Sequence, residues 1–343
     1  MVKTILGYTN LTGANLSKAN LSGSYLVASS LGGSDLTSAN LSDANLENAF
    51  MHRVRLVLAK LINASIPGAH LEDSDLSNSN LERADLTNAL LGGCNLTGAN
   101  LDGARLLGTD LSLAILKDAG LCRANMIGAK MNWADLSGSL LAGCQFSRAE
   151  LFGANLSNCD MTGSDFTRAY LVRANLTGCT LKNTKLDYAD LTNVNLRNAD
   201  LSGIRFLNVY LDDADLSGAK LAGSYQYGVT LNRTVWHNAN LRNSQIILMN
   251  FLNVDYSGAD LRNTRFAQTY MNNTNFSGAD LRGAIFDTSA FENADFRDAN
   301  LEGIKYDGIA LQFFAVSNLK GAKLSADLQK DLEKLRTDED PDQ

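Results

Sequence analysis

The chain has 343 residues, of which 30 are basic and 37 acidic, giving a formal net charge of −7. The segment 325–343 holds −4 of that charge, so the rest of the chain is only mildly acidic, and this composition argues against direct contact with nucleic-acid phosphates. No stretch resembles a signal peptide or approaches the roughly 20 apolar residues of a membrane-spanning helix, so we expect a cytoplasmic protein without a membrane partner. The five cysteines are odd in number and lack the spacing of a disulfide framework.

Residues 1–5 form a short leader, and a strict five-residue repeat begins at Leu6. Between residues 6 and 311, 61 of the 62 positions in this series are apolar, and Gln226 is the exception. Two residues earlier, Ala, Ser, Thr or Cys fills 53 of the 62 positions, and the residue between the two is mostly Asn or Asp. The consensus is A-[N/D]-L-x-x, as in residues 14–18.

A period of five fits neither an α-helix nor a flat strand, so the chain must turn after each pentad. A coil with four short sides satisfies this requirement when the large and the small residue of each side point inward and the other three face solvent. Stacked coils then pair their backbones along the axis at the spacing of parallel strands, about 4.8 Å. The sequence therefore predicts an all-β solenoid in which each coil contacts only its neighbours.

This repeat resembles that of the pentapeptide-repeat family. The resemblance implies a right-handed quadrilateral parallel β-helix with about 20 residues per coil, so that 62 pentads predict about 15 coils. We predict a cap at residues 1–5, the β-helix at 6–315, and a register-shifted C-terminal segment with a short α-helix and an acidic tail at 316–343. Proteins of this family are abundant in cyanobacteria, and some of them mimic DNA and protect gyrase from quinolones.

The residues most capable of chemistry are scattered, and we predict no catalytic residue, metal site or cofactor. His52, His70 and His237 fall at outward positions without a ligand-like neighbour. Four cysteines, Cys94, Cys144, Cys159 and Cys179, occupy the small inward position, which predicts a packing role. Cys122 faces outward and is the one candidate reactive thiol.

The repeat is least regular between residues 205 and 252, and apolar residues cluster there. Leu207, Tyr227 and Ile247 are 20 residues apart and predicted to stack on one outer wall. The residues that complete this candidate partner-binding patch are Tyr210, Tyr225, Leu248 and Leu252. Contiguous exposed apolar surface often marks an interface; the alternative is that a distorted coil turns some of these side chains inward.

Two function hypotheses follow from the outer walls. Their net charges are about −4, −3, 0 and +1 with both signs interspersed, whereas DNA mimicry requires a strongly negative surface. We therefore favour a non-enzymatic scaffold or regulatory solenoid that binds another protein, with a DNA-mimic protector of gyrase as the alternative. An outward column of Ser and Thr, including Ser17, Thr97 and Ser137, predicts either a hydroxyl ladder between coils or a flat docking surface.

The C-terminal segment predicts an amphipathic helix. Ser325 is suited to cap its N-terminus, and Leu324, Leu328, Leu332 and Leu335 form one apolar stripe. This stripe either covers the end of the solenoid or pairs with a second copy in a homodimer. At the other end, the first coil must be covered by residues 1–5, by a partner or by a second copy.

Overall fold

The computed structural model describes the backbone of residues 3–338 and the side chains up to Leu335. It comprises two units, Met1–Lys185 and Leu186–Gln343. In both, residues 20 apart pair in parallel, as Asn15 with Asp35 and Asp215 with Val235 do. Since four pentads make 20 residues, each unit is a four-sided parallel β-helix, as the periodicity predicts.

A side with the consensus sequence provides a partner for all five of its backbone N–H groups, as residues 35–39 illustrate. The N–H groups of Leu36 and Ser38 donate to the next coil at 2.7 and 2.8 Å, and that of Asp35 donates to the preceding coil at 2.9 Å. The Ala39 N–H donates across the turn to the carbonyl of Leu36 at 2.9 Å. The remaining N–H, that of Thr37, donates to Oδ1 of Asp35 at 2.9 Å. The side chain of the consensus Asn or Asp thus accepts a hydrogen bond from the N–H group that has no backbone acceptor.

Unit 1 is built almost entirely from such sides, and single bridges join its coils. Its core is the predicted column of large residues with the small residues between them, for example Leu36, Ala39 and Leu41, all fully buried. The cysteines at inward positions are buried as well, and burial raises the pKa of each of their thiols to about 12.

Unit 2 contains all the regular strands of the described chain. Its main sheet has six parallel strands in the order β1-β2-β3-β5-β7-β9, and β4 pairs with β6 and β8 with β10 in two smaller sheets. The strands are β1 (Arg205–Leu207), β2 (Tyr225–Tyr227), β3 (Gln245–Ile247), β4 (Asn250–Leu252), β5 (Arg265–Ala267), β6 (Tyr270–Asn272), β7 (Ile285–Asp287), β8 (Asn300–Leu301), β9 (Lys305–Tyr306) and β10 (Lys323–Leu324).

The regular strands define about six turns, fewer than the about 15 predicted coils, and single bridges between residues 20 apart join the rest of the chain. The six strands of the main sheet begin at residues 205, 225, 245, 265, 285 and 305, and none of these is Asn or Asp. The N–H of the residue two positions later therefore has no Asn or Asp acceptor in its own side, and parallel strand pairing supplies one instead. In the main sheet, extended strands thus lie where the consensus Asn or Asp is missing.

The interior of unit 2 is rich in aromatic rings that stack from coil to coil. Tyr256, Phe276 and Phe296 are parallel to within 8°, with centroid distances of 5.5 and 4.9 Å. Gln226 is fully buried at its core position, and its Nε2 donates to Oγ of Ser224 at 3.3 Å. The side chain of Gln226, the polar residue in the core column, therefore points into the coil.

Two helices close the C-terminal end of unit 2, where the sequence predicts one. Helix α1 (Gly308–Val316) begins at Asp307, whose side chain accepts a hydrogen bond from the Ala310 N–H at 2.9 Å. It carries Phe314 into the interior, against Phe291 at 4.7 Å between ring centroids. The predicted β-helix boundary at residue 315 therefore lies inside a helix, because a capped turn and a core-filling aromatic residue end the coil earlier.

Helix α2 (Ala326–Asp338) begins at Ser325, whose Oγ accepts a hydrogen bond from the Leu328 N–H at 3.3 Å. Leu328 and Leu332 are buried within unit 2, and Leu324 and Leu335 are half-buried. Tyr306 Oη donates to Asp331 at 3.0 Å and ties α2 to β9. The acidic tail from Glu339 onward lies outside the described residues.

The first coil of unit 1 is less covered than the coils that follow it. Leu6, Leu11 and Leu16 are half-exposed, and Ile5 is 83% exposed. Lys3, Thr4 and Ile5 therefore do not bury the first coil as a cap would; residues 1 and 2 lie outside the described part.

Ion pairs line the surface of unit 2. Arg262, Arg282 and Arg297 each bind the Asp two residues earlier, at 2.6, 2.7 and 2.7 Å. These arginines lower the pKa of the partner carboxyls, Asp260, Asp280 and Asp295.

We predict that Phe314→Ala destabilises unit 2 by about 3–5 kcal/mol, since it removes a fully buried ring from an aromatic cluster. The control, Val316→Ala on the exposed side of α1, should change the free energy of unfolding by less than about 0.5 kcal/mol. Urea unfolding followed by Trp236 fluorescence in a Trp133→Phe background measures both. Equal effects of the two substitutions would show that Phe314 does not close the coil.

We predict that unit 2 loses stability as the pH falls below about 4, near the unfolded pKa of Asp. The folded pKa values of Asp260, Asp280 and Asp295 are lowered. Their stabilising contribution is therefore complete above the unfolded pKa and lost as pH falls through the folded values. Replacing Arg282 and Arg297 by Gln should flatten this loss between pH 5 and 2 in urea titrations. The control Arg242→Gln should leave it unchanged, since no ion pair of Arg242 is recorded in the described chain.

Candidate functional site

The seven residues of the predicted patch lie together on unit 2, and none is buried. Pairing of β1 with β2 and of β2 with β3 places Leu207 beside Tyr227 and Tyr227 beside Ile247. Tyr227 is 38% exposed, and Tyr210, Leu248 and Leu252 are between 42% and 50% exposed. Leu207, Tyr225 and Ile247 are half-buried. Gln226 turns into the core, and none of the seven patch residues does.

Charged groups border this patch. The guanidinium of Arg205 lies over the Tyr225 ring, 5.8 Å from its centroid, a geometry suited to a cation–π interaction. In the register of the main sheet Ala267 follows Ile247, and it is only 5% exposed. The ion pair between Arg265 and Asp287 lies beside it and ends the apolar column there.

Two further tyrosines extend the patch and were missed by the sequence reading. Tyr188 is 51% exposed, and its N–H donates to the carbonyl of Leu207 at 3.1 Å. Tyr270 is 58% exposed on β6, beside Asn250 of β4. Neither lies 20 residues from another member, so comparison of residues at that spacing could not find them.

A second exposed aromatic group, in unit 1, was missed as well. Trp133 meets Phe152 edge to face at 5.2 Å between centroids, and Phe152 is parallel to Tyr170 to within 15° at 6.3 Å. The guanidinium of Arg173 lies 5.8 Å from the centroid of Phe152. These residues are 19 and 18 apart along the chain, so they meet diagonally across three coils.

The hydroxyl column forms no continuous ladder from coil to coil in residues 3–338, although Oγ of Ser257 meets Nδ1 of His237 on the neighbouring coil at 2.9 Å. The Oγ atoms of Ser17 and Ser137 and Oγ1 of Thr97 each donate to Oδ1 of the Asn or Asp two residues earlier, at 2.7 Å in all three cases. The bonds between coils come from amides instead: Asn155 donates to Asp135 at 3.0 Å, and Asn175 donates to Asn155 at 3.2 Å. The Ser and Thr side chains are short, so these three hydroxyl groups bond within their own turn. The Asn side chain is longer, and its amide reaches the neighbouring coil.

The scattered titratable residues stay apart. Nδ1 of His70 is 3.5 Å from Glu72, Nδ1 of His237 is 2.9 Å from Oγ of Ser257, and Cys122 is half-buried. Across residues 3–338, no three His, Cys, Asp or Glu side chains are grouped so that they could hold a metal ion. Neither of the two described helices combines the length and apolar character needed to cross a membrane.

Comparison with known proteins identifies the repeat. The family described as pentapeptide repeats matches eight segments of the chain, and a second pentapeptide-repeat family matches residues 271–310. The eight segments are residues 4–43, 39–78, 55–93, 79–118, 114–143, 144–183, 189–225 and 250–287. No curated protein matches the chain.

Solved structures of pentapeptide-repeat proteins are similar to parts of this chain. HetL, involved in heterocyst differentiation regulation in the cyanobacterium Nostoc sp. strain PCC 7120, is 26% identical over 68% of this chain and 89% of its own, with a TM-score of 0.23. Full-length QnrB1, a plasmid-mediated fluoroquinolone resistance protein, is 22% identical over 61% of this chain and 90% of its own, with a TM-score of 0.22. Rfr23 from the cyanobacterium Cyanothece 51142 is 20% identical over 51% of this chain and 64% of its own, with a TM-score of 0.10.

TM-scores this low support no statement about function. The family matches, by contrast, cover most of residues 4–310 and coincide with the coils described above. The chain belongs to the pentapeptide-repeat family.

Proposed function

We propose that this protein is a non-enzymatic scaffold or regulatory solenoid, located in the cytoplasm, that binds another protein through the patch on unit 2. The observation that carries the proposal is the exposure of Tyr210, Tyr227, Leu248 and Leu252 beside the half-buried Leu207 and Ile247. The repeat requires no apolar residue at any of these outward positions. Contiguous apolar surface of this kind often marks a protein interface.

The composition of the patch supports a protein partner. Tyrosine and arginine are enriched in the central parts of interfaces, where a large side chain buries much area and its polar end still finds a partner. Tyr225 with Arg205 above its ring provides such a pair, and Tyr188 and Tyr270 widen the surface. We expect Tyr227 and Ile247 to anchor the complex, because they are adjacent in the middle of the apolar column.

A non-enzymatic role agrees with how the coils are built. In the described coils, large core residues fill the interior, and the side chains left for other molecules stand on the outer walls. Proteins of this family generally act as scaffolds without enzymatic activity, and we propose the same for this chain.

Protection of gyrase by DNA mimicry is the less favoured function. Unit 1 has 15 basic and 15 acidic residues, and unit 2 has 15 basic and 22 acidic residues, a net charge of −7. Several carboxylates of unit 2 are neutralised by arginines at hydrogen-bonding distance, for example Asp213 by Arg233 at 2.6 Å. Such pairing weakens the negative field that mimicry of a phosphate backbone needs.

The helix at the C-terminal end is proposed to act as a cap within one chain. The burial of Leu328 and Leu332 against their own unit supports this role. A homodimer through this end would have to use the half-buried Leu324 and Leu335.

We predict that replacing Tyr227 and Ile247 by Glu abolishes partner capture from the native host while leaving the melting temperature nearly unchanged. The glutamates place two charges in the centre of the apolar column, where a partner would have to desolvate them. Affinity capture with quantitative mass spectrometry compares this variant with wild type. The matched control, Ser202→Glu with Ala222→Glu, changes two equivalent outward positions on neighbouring coils of another wall. Equal recovery of partners by all three proteins would refute the proposal that this patch binds the partner.

We predict that the protein, at concentrations up to tens of micromolar, does not relieve quinolone inhibition of gyrase supercoiling in vitro. The paired carboxylates leave too weak a negative field for mimicry. Dose-dependent relief would replace the scaffold proposal with the DNA-mimic one.

A further inference from the structure

We propose that unit 1 carries a second binding surface, centred on Trp133, that receives an acidic and partly apolar segment of a partner protein. We call Trp133, Phe152, Tyr170 and Arg173 the Trp133 platform. The inference rests on the proposed function, in that the protein acts by binding. It uses a different unit and shares no residue with the patch on unit 2.

The indole of Trp133 is held flat with one face open. A Cβ atom built at Gly153, in the next coil, would lie 2.5 Å from Cε3 and Cζ3 of Trp133. The ring therefore occupies the space that any larger residue at position 153 would need. Trp133 is nevertheless 56% exposed, so its other face is available for stacking.

The neighbouring residues hold this ring in place and extend the surface. Phe152 meets Trp133 edge to face, and Tyr170, 42% exposed, is parallel to Phe152. Arg173 lies over Phe152. Asn132 accepts the Phe152 N–H at 3.0 Å through Oδ1, which fixes the backbone below the rings. Trp, Tyr and Arg are the residue types most enriched among residues that dominate binding energy.

The fold itself does not select Trp133. Its φ is +61°, the left-handed region that favours Gly and Asn. Most equivalent positions hold Gly, Asn, Asp or Arg, and Gly153 is the equivalent of Trp133 in the next coil. A large aromatic residue here costs stability that the repeat would gain from Gly, so stability of the coil does not explain it.

The charges around the platform select the partner. Arg173 is exposed, and no ion pair joins it to a carboxylate of the described chain. Lys130 is exposed as well, but it pairs in register with Asp110 and Glu150 of the neighbouring coils, and Glu150 accepts a hydrogen bond from the Asn132 amide at 3.3 Å. In unit 2, by contrast, arginines such as Arg233 and Arg282 are neutralised by aspartates of their own unit.

A cation without a carboxylate partner, Arg173, on an exposed aromatic surface fits an acidic segment with apolar side chains. Single-stranded nucleic acid, which also combines stacking with negative charge, is disfavoured because Glu150, which pairs in register with Tyr170, would repel phosphates. A polypeptide can place its carboxylates away from Glu150, whereas a phosphate backbone is charged at each step.

The test selects ligands from a random 12-residue peptide library displayed on phage. Wild-type protein is the bait, and counter-selection uses Trp133→Gly. Glycine fits the left-handed backbone, so this variant should fold with an unchanged or higher melting temperature. The matched control is Leu58→Gly, which replaces another exposed residue of unit 1 in the same conformation, 57% exposed and φ +59°.

We expect the selected peptides to be rich in Asp and Glu with apolar residues between them. Synthetic versions should bind wild type and Leu58→Gly equally, Trp133→Gly at least tenfold more weakly, and Arg173→Glu more weakly still for the most acidic peptides. Affinities of all the variants are read from the fluorescence anisotropy of labelled peptides, a signal that does not depend on Trp133.

Neutral or basic selected peptides, no peptide that depends on Trp133, or tighter binding of a 12-nucleotide oligouridine than of any selected peptide would each overturn the proposal. The variant with Glu at positions 227 and 247 should keep full peptide affinity. Loss of the unit 2 partner and loss of the unit 1 ligand are thereby distinguished.

Discussion

One hydrogen bond accounts for the regularity of this molecule. Four of the five N–H groups in each side find carbonyl acceptors within the coil or in its neighbours, and the fifth, on the residue after the core leucine, does not. The Asn or Asp two residues before it supplies the acceptor, as Asp35 does for Thr37. An unsatisfied N–H is costly, and so Asn and Asp recur at this position. Where they are absent, a side chain of the neighbouring coil can supply the acceptor, as Asp102 does for the Cys122 N–H at 2.8 Å, or the side can pair as an extended strand, as in the six-stranded sheet of unit 2.

The same constraint leaves the outer walls free to vary. The fold requires the large core residue, the small residue and the Asx acceptor. It places little demand on the first residue after the core residue and asks only for a positive φ at the second. Since the coil does not need an apolar side chain at either position, we propose that exposed apolar residues there serve binding. This reasoning connects the patch at Tyr227, in the first position after the core residue, with the Trp133 platform, in the second.

Ion pairs occur on the walls of both units, as between Lys117 and Asp135 in unit 1. Unit 2 pairs many of its arginines with aspartates two residues away or on the next coil, which stabilises its walls modestly. Arg173, in contrast, lies against the ring of Phe152 and has no ion pair in the described chain. A paired charge presents little net field to other molecules, whereas an unpaired cation attracts groups of opposite charge.

The amino-acid sequence by itself determined the coil, its core column and the stacking of Leu207, Tyr227 and Ile247, because a side-chain period of five and a coil of 20 residues are local, repeated properties. It also predicted that these three residues share an exposed wall, since each is one coil from the next. Only the tertiary structure decided that Gln226 turns inward, that Phe314 on a second helix closes the end, and that Trp133, Phe152 and Tyr170 meet. Those outcomes depend on contacts between residues whose separations do not match the repeat, and on the space left by particular neighbours such as Gly153, which periodicity cannot reveal.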